Sequence, residues 1–223
     1  MKPTLFAAAL ILALAGSCPA EPQAKKRGGW INLFDGRSLS GWVDGAGKPA
    51  RNEKWRTTDG VLHLTGKGGG NLYSARDFGD FDLSFEWKIE AGGNSGVKYR
   101  MAKYGKSLLG PEYQLLDDRK NPTGKGATGG LYDIVAPDEE TKKVLPVGQW
   151  NRSRIVVQGG HIQHFLNGRK VVDVTVGSPE WKEAVAASKF KENEGFAENA
   201  AGSIMLQDHG NPVWFRKVRI REL

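Results

Sequence analysis

The chain has 223 residues, of which 39% are hydrophobic and 26% charged, so it has enough apolar side chains for a packed core. This length suits one sandwich-type domain, and the composition excludes a largely disordered chain. The formal net charge is +7, but the cations are scattered and the chain opens with an export-like segment, so we expect no nucleic-acid partner.

The first twenty residues have the pattern of a signal peptide. Lys2 precedes an uncharged apolar run over residues 5–14 that is too short to span a bilayer, and small residues follow it. We expect cleavage near Ala20. Alternatively Cys18, the only cysteine, is the lipid-bearing first residue of a mature lipoprotein and gives the protein its one contact with a membrane. Both alternatives predict an exported protein, in the periplasm or at the cell surface.

After a flexible leader at residues 21–29, a single domain is predicted over 30–223. Its clearest strand spans residues 81–90, where apolar and polar side chains alternate strictly, so one face is expected to be buried and the other wet. Ser178 and Pro179 have the pattern of a helix N-terminus and predict one short helix. Further strands are predicted at 55–58, 61–65, 95–101, 111–116, 154–158, 161–166, 170–176, 203–206 and 213–220. This pattern favours an all-β fold, a two-sheet jelly-roll sandwich.

Two of these strands carry charged side chains on one face. Glu112 and Gln114 share a face of the strand at 111–116, while Tyr113 and Leu115 lie on the core side. Lys98 and Arg100 share a face of the strand at 95–101. If the two strands are neighbours, Arg100 lies near Glu112, either as a cross-strand ion pair or as a group that stabilises an anion.

The candidate proton carriers are two histidines and a tyrosine. Gln207 and His209 lie opposite the inward residues of the strand at 203–206, and His209 is a candidate because histidine titrates near neutral pH. His164 is a second candidate, and Tyr132 lies in a loop that can line the same cleft. His161 and His164 lie on opposite faces of one strand, so they are not a metal-chelating pair.

Several segments resemble the bacterial 3-keto-disaccharide hydrolase family, also called the 3-keto-glucoside lyase/hydratase family. The resemblance extends from about Trp30 to Leu223. It is most specific at Gly110-Pro111-Glu112-Tyr113-Gln114 and at Leu206-Gln207-Asp208-His209-Gly210. It is supported by Gly41-Trp42, Asn94-Ser95-Gly96, Gly148-Gln149-Trp150-Asn151, His164-Phe165-Leu166-Asn167-Gly168 and Ser188-Lys189-Phe190.

The resemblance implies a concanavalin A-like jelly roll that cleaves glycosides whose sugar has been oxidised at C3. The reaction needs a base, a group that stabilises an enolate and a proton donor. Our hypothesis assigns Glu112 or His209 as the base, Arg100 as the stabiliser, and His164 or Tyr132 as the donor. The expected substrate-binding residues are Asn94, Lys98, Gln114, Asp117, Lys189 and Gln207.

Three other functions remain open at this stage, one of them a structural or adhesive role, which is favoured only if side chains fill the groove. A non-catalytic carbohydrate-binding protein could use the same fold. An ordinary glucanase would need a second carboxylate near Glu112, and Asp117 has the wrong strand parity for that role. A divalent cation is left open as cofactor, because Glu112, Asp117, Asp208 and His209 are suitable donors whose spacing is not diagnostic.

Overall fold

The protein is described from a computed structural model that covers residues 28–51, 53–119 and 123–223. The predicted signal peptide and Cys18 lie outside these residues. Within them, no helix is long and apolar enough to cross a membrane.

The described residues form fourteen strands and one helix, and the fold-class prediction is confirmed. The elements are β1 (Ile31–Asn32), β2 (Trp42–Val43), β3 (Trp55–Thr58), β4 (Val61–Leu64), β5 (Leu72–Ser74), β6 (Phe81–Ile89), β7 (Asn94–Tyr104), β8 (Ser107–Leu109), β9 (Glu112–Leu116), β10 (Asn151–Gln158), β11 (His161–Leu166), β12 (Arg169–Thr175), α1 (Pro179–Ala186), β13 (Ser203–Leu206) and β14 (Val213–Glu222).

The strands make two antiparallel sheets that pack face to face. The large sheet has the order β12-β11-β10-β6-β14-β4-β3, with β1 also paired to β14. The small sheet has the order β2-β5-β13-β7, and the free edge of β7 pairs first with β9 and then with β8. The central strand β6 buries Phe81, Leu83, Phe85, Trp87 and Ile89 between the sheets, as its alternation predicts.

The other face of β6 is not wet, contrary to the prediction. Asp82 is only 1% exposed, because the guanidinium groups of Arg154 and Arg221 cover it with hydrogen bonds of 2.6–2.9 Å. Burial alone would raise the pKa of Asp82, but these hydrogen bonds lower it below its ordinary value. The outward face of the large sheet is therefore built from cross-strand ion pairs.

A buried chain of hydrogen bonds joins the two sheets next to β9. Trp87 Nε1 donates to Ser153 Oγ (2.8 Å), Ser153 donates to Tyr113 Oη (2.8 Å), and Tyr113 donates to the carbonyl of Phe165 (3.2 Å). Every side-chain polar atom in this series of hydrogen bonds has a partner, which fixes the depth of Tyr113 in the core. Because Tyr113 lies between Glu112 and Gln114, these hydrogen bonds also set where those two side chains emerge on the opposite face.

Candidate functional site

A small polar pocket lies on the outward face of the small sheet. Its volume is about 100 Å³, and side chains from two strands, β7 and β9, and from three connecting segments converge on it. The lining residues are Asn94, Lys98, Glu112, Gln114, Tyr132, Lys189, Gln207 and His209. All eight belong to the set predicted from the sequence.

The floor of the pocket is an acid–ammonium pair between neighbouring strands. The register of β7 with β9 places Lys98 opposite Glu112, so both side chains rise from the same face. Lys98 Nζ lies 3.2 Å from Glu112 Oε2, and Glu112 is only 4% exposed. A carboxylate this buried would be costly without a partner, and the contact with Lys98 offsets part of that cost.

Gly96 leaves the space that the Glu112 carboxylate occupies. A Cβ atom at position 96 would lie 2.3 Å from Glu112 Oε1 and 3.0 Å from its carboxyl carbon. The glycine in this strand therefore marks a close approach of a side chain to the backbone.

Substituting Gly96→Ala should displace the carboxylate while the surrounding sheet persists. We expect turnover to fall about tenfold or more, because displacing a reactive group by about 1 Å lowers the reaction rate by at least that factor. The control is Gly45→Ala, whose added methyl would approach no side chain closer than 3.9 Å. Unchanged turnover in Gly96→Ala would show that the position of Glu112 is not critical.

Amide side chains connect the floor of the pocket to its rim. Gln114 Nε2 donates to Asn94 Oδ1 at 2.9 Å, and Asn94 Nδ2 lies 3.4 Å from Nε2 of the exposed His209. Since Asn94 Oδ1 accepts, its amide group is oriented to donate towards His209. These three residues form a polar wall that offers donors and acceptors to a ligand.

Gln207 presents an acceptor that is not satisfied within the protein. Its backbone is fixed to β7, because Gln207 N donates to the carbonyl of Gly96 (3.0 Å) and Ser95 Oγ donates to the carbonyl of Gln207 (2.8 Å). The buried Oε1 of Gln207 accepts no hydrogen bond from any described residue. A buried acceptor of this kind favours a ligand whose hydroxyl group donates a hydrogen bond to it.

Two loops complete the pocket from above. Tyr132 N donates to the carbonyl of Glu112 (3.0 Å), so the loop that carries Tyr132 continues the hydrogen bonding of β9. Asp133 Oδ2 accepts from the amide of Lys189 (2.7 Å), which brings the segment after α1 to the same place. The ammonium of Lys189 lies over the Tyr132 ring, 4.2 Å from its centroid.

The electrostatics of the two loop residues differ from those of free side chains. Burial raises the pKa of Tyr132, and the nearby charges of Glu112 and Asp133 raise it further. Burial lowers the pKa of Lys189, with Lys98 acting in the same direction and Glu112 opposing it. Of the described carboxylates, none is within ion-pair distance of Lys189, so its ammonium is available to an anionic ligand.

Arg100 does not face the pocket, so the prediction that it lies near Glu112 is wrong. It has a positive φ of 46°, and the pairing of β13 with β7 shifts register between Ser203 and Met205, which turns the side chain away from the face of Lys98. Its guanidinium instead pairs with Asp80 at 2.9 Å, beside a separate cavity.

His164 is also outside the pocket, and its predicted role as a proton donor there is wrong. The ring is fully buried between the sheets. Its Nδ1 donates to the carbonyl of Gly129 (3.0 Å) and its Nε2 accepts from Tyr99 Oη (2.8 Å). Gly129 in turn donates its N–H to the carbonyl of Gln114 (3.0 Å), so His164 positions the loop next to the pocket.

Two of the residues named as suitable cation donors make structural hydrogen bonds instead. Asp117 accepts from the amide of Gly92 and from the guanidinium of Arg119, and it lines a different cavity from the pocket of Glu112. Asp208 accepts from the amides of Gly70 and Gly210. Within the described ranges, no three His, Cys, Asp or Glu side chains converge as a metal-ligand set.

The sandwich and the pocket together define a jelly-roll protein with a small polar pocket on one sheet face. The chain belongs to the 3-keto-alpha-glucoside-1,2-lyase-like domain family, whose model matches residues 29–221. A curated 3-keto-disaccharide hydrolase from Bacteroides thetaiotaomicron is 33% identical over 231 residues, which covers 87% of this chain and 79% of that protein.

Solved structures agree with this assignment. A protein from Parabacteroides distasonis, provisionally assigned as a glycosyl hydrolase, superposes with a TM-score of 0.76 at 31% identity, over 87% of this chain and 94% of that one. A Bacillus subtilis protein with a galectin-like fold superposes with a TM-score of 0.51 at 12% identity, over 90% of this chain and 97% of that one. The second similarity supports the fold alone.

Proposed function

We propose that this protein cleaves glycosides whose sugar carries a ketone at C3. The family and the curated relative support this substrate class. The observation that carries the proposal is the buried Glu112 carboxylate, which lies in one pocket with the ammonium groups of Lys98 and Lys189. One base beside two cations is the arrangement that enolate chemistry needs.

The reaction proceeds by elimination followed by hydration. The ketone acidifies the proton on C2, the base removes it, and the electron pair forms an enolate whose charge lies on the C3 oxygen. The enolate then expels the C1 substituent, which leaves with a proton as an alcohol, and a C1–C2 double bond remains. Water adds across that bond, with its oxygen on C1 and a proton on C2, to give the free 3-keto sugar.

The elimination steps each have a matching residue in the pocket. Glu112 is the base, and Lys189 stabilises the enolate oxygen in place of the Arg100 predicted from the sequence. Tyr132 donates the proton to the leaving group, since a tyrosine phenol is protonated at neutral pH and lies in the same pocket as the base. Asn94, Gln114 and Gln207 hold sugar hydroxyls, and those residues provide both amide donors and a free acceptor.

An ordinary glycosidase mechanism has less support. Double displacement or inversion needs two carboxylates on either side of the scissile bond. Glu112 is the one carboxylate among the described residues that line the pocket. A 3-keto substrate removes that requirement, because its acidified C2 proton allows cleavage with a single base.

The proposal is tested by comparing a 3-keto disaccharide with the same sugar before oxidation. We expect release of the leaving group from the keto sugar alone. Equal release with and without a chelator would indicate a protein-only mechanism, whereas loss of release with the chelator would indicate a cation-assisted one. Cleavage of both sugars at similar rates would support a glycosidase instead. Binding of both without cleavage would support a carbohydrate-binding protein.

Tyr132→Phe gives an effect that depends on the leaving group. We expect turnover of a 3-keto alkyl glycoside to fall about a hundredfold, because the alkoxide then leaves without a proton. A 3-keto nitrophenyl glycoside should lose less than about threefold, since nitrophenolate needs little acid assistance. Parallel rate measurements on the two substrates provide the check, and equal losses would remove Tyr132 from proton donation.

Export remains part of the proposal. We infer from residues 1–20 that the mature protein is located in the periplasm or at the cell surface. The mass of the mature chain distinguishes the two processing routes, since cleavage near Ala20 leaves an unmodified N-terminus and lipidation leaves a diacylglycerol on Cys18. A full-length chain that starts at Met1 would contradict export.

A further inference from the structure

We propose that the outward face of the large sheet binds an acidic polysaccharide, a glycan that carries carboxylate or sulfate groups. This surface, called the arginine face here, consists of the outward side chains of the adjacent strands β10, β6 and β14. It lies on the opposite side of the sandwich from the pocket of Glu112. The inference does not depend on the proposed reaction.

Positive charge is concentrated on the arginine face. Its two carboxylates, Asp82 and Glu86, are outnumbered by seven cations, so the face has an excess of five positive charges. The described residues as a whole carry a net charge of +3, because the undescribed residues supply +4 of the chain's +7; the remaining described surface is therefore at −2. The seven cations are Lys88, Arg152, Arg154, Arg216, Lys217, Arg219 and Arg221.

Some of these cations have no carboxylate partner. Asp82 pairs with Arg154 and Arg221, and Glu86 pairs with Arg216 and Lys217, so both carboxylates are fully engaged. Arg152 lies directly opposite Glu86 in the sheet but forms no ion pair with any described carboxylate. Arg219 lies opposite Ser84, and its described contact is with the ring of Trp30, 4.7 Å away.

The register of the sheet arranges paired and unpaired arginines in a row across the face. Arg154 and Arg219 lie on either side of Ser84. Their Cα atoms are therefore about two strand spacings apart, close to 10 Å. Repulsion between their guanidinium groups makes the face unfavourable until an anion compensates it. A polymer with repeated negative charges would provide that compensation along the row.

A groove on this face indicates a glycan rather than a flat lipid surface. It has a volume of about 580 Å³ and is lined in part by Arg152, Arg154, Phe165 and Asn167. Guanidinium groups bind carboxylate and sulfate oxygens in a planar, bidentate geometry. The Phe165 ring, 5.1 Å from the guanidinium carbon of Arg154, offers an apolar surface for a sugar ring. A bilayer surface would make no use of such a groove.

The test removes the two unpaired arginines and compares the result with an equal loss of charge elsewhere. The face variant is Arg152→Gln with Arg219→Gln. The matched control is Lys103→Gln with Lys106→Gln, two exposed residues at the hairpin of β7 and β8. Both variants have the same net charge. Dissociation constants are measured for polygalacturonate, dextran sulfate and neutral dextran, together with vesicles of phosphatidylglycerol or phosphatidylcholine.

We expect binding to both acidic polymers but not to neutral dextran, with about tenfold weaker binding in the face variant and less than a twofold change in the control. Cleavage of a neutral 3-keto disaccharide should be unchanged in both variants, which separates this inference from the proposed reaction. Equal weakening in the two variants, no binding to either acidic polymer, or binding to phosphatidylglycerol vesicles without polymer binding would each overturn the proposal.

Discussion

Substitution of Glu112 by glutamine should lower the turnover of a 3-keto disaccharide at least about a hundredfold. The amide keeps the shape of the side chain in the space above Gly96 but cannot accept the C2 proton. Because Glu112 is the one carboxylate among the described lining residues, no neighbouring acid can take over its role. The expected loss is in kcat, measured with saturating substrate.

The matched control is Glu90→Gln, which replaces an exposed carboxylate outside the pocket. It should retain full turnover, and both variants should unfold cooperatively near the parent temperature. A Glu112→Gln protein that folds and turns over at a rate near that of the parent would remove Glu112 as the base. His209, at the rim of the pocket, would then be the next candidate.

Strand parity is the part of the site that could be predicted from the sequence. The alternation around Tyr113 and Leu115 puts Glu112 and Gln114 on the outward face, and the structure places both in the pocket. The same reasoning put Gln207 and His209 on the side of the sheet where the pocket lies, and the amide of Gln207 continues the pairing with β7 by donating to the carbonyl of Gly96. In a regular strand, the position of a residue in the sequence therefore predicts the face on which its side chain lies.

Arg100 shows where parity fails. Simple alternation from Lys98 places both side chains on one face, but the positive φ at Arg100 and the shifted pairing with β13 break the alternation. A bulge of this kind leaves no mark in the apolar pattern, because it depends on how the neighbouring strand pairs. The same limit applies to β14, where the register shift lets Arg216 and Lys217 both reach Glu86.

His164, by contrast, was misassigned although the sequence contained the relevant signal. It shares its strand parity with Ile162 and Leu166, and all three are buried. Its partner Gly129 lies 35 residues away, so the hydrogen bond itself could not be predicted. Likewise, Lys189 and Tyr132 were both expected at the site, but their contact depends on two loops whose meeting is a tertiary feature.

The buried His164 should make the fold sensitive to acid. Burial lowers its pKa to about 4, from an ordinary value near 6.5. Between these values the unfolded chain binds a proton that the folded protein does not, so the free energy of unfolding falls as the pH falls from about 6.5 to about 4. The full loss is about 3 kcal/mol, of which about 2 kcal/mol is lost by pH 5.

Urea unfolding at pH 7.5 and pH 5 measures this contribution. His164→Gln keeps an amide donor for the carbonyl of Gly129 and an acceptor for Tyr99 but does not titrate, so about 2 kcal/mol of the difference between the two pH values should disappear. The comparison cancels the titration of other groups, which both proteins share. If His164→Gln retains the parent's pH dependence, the acid sensitivity arises elsewhere, and the buried imidazole does not link protonation to the loop that carries Tyr132.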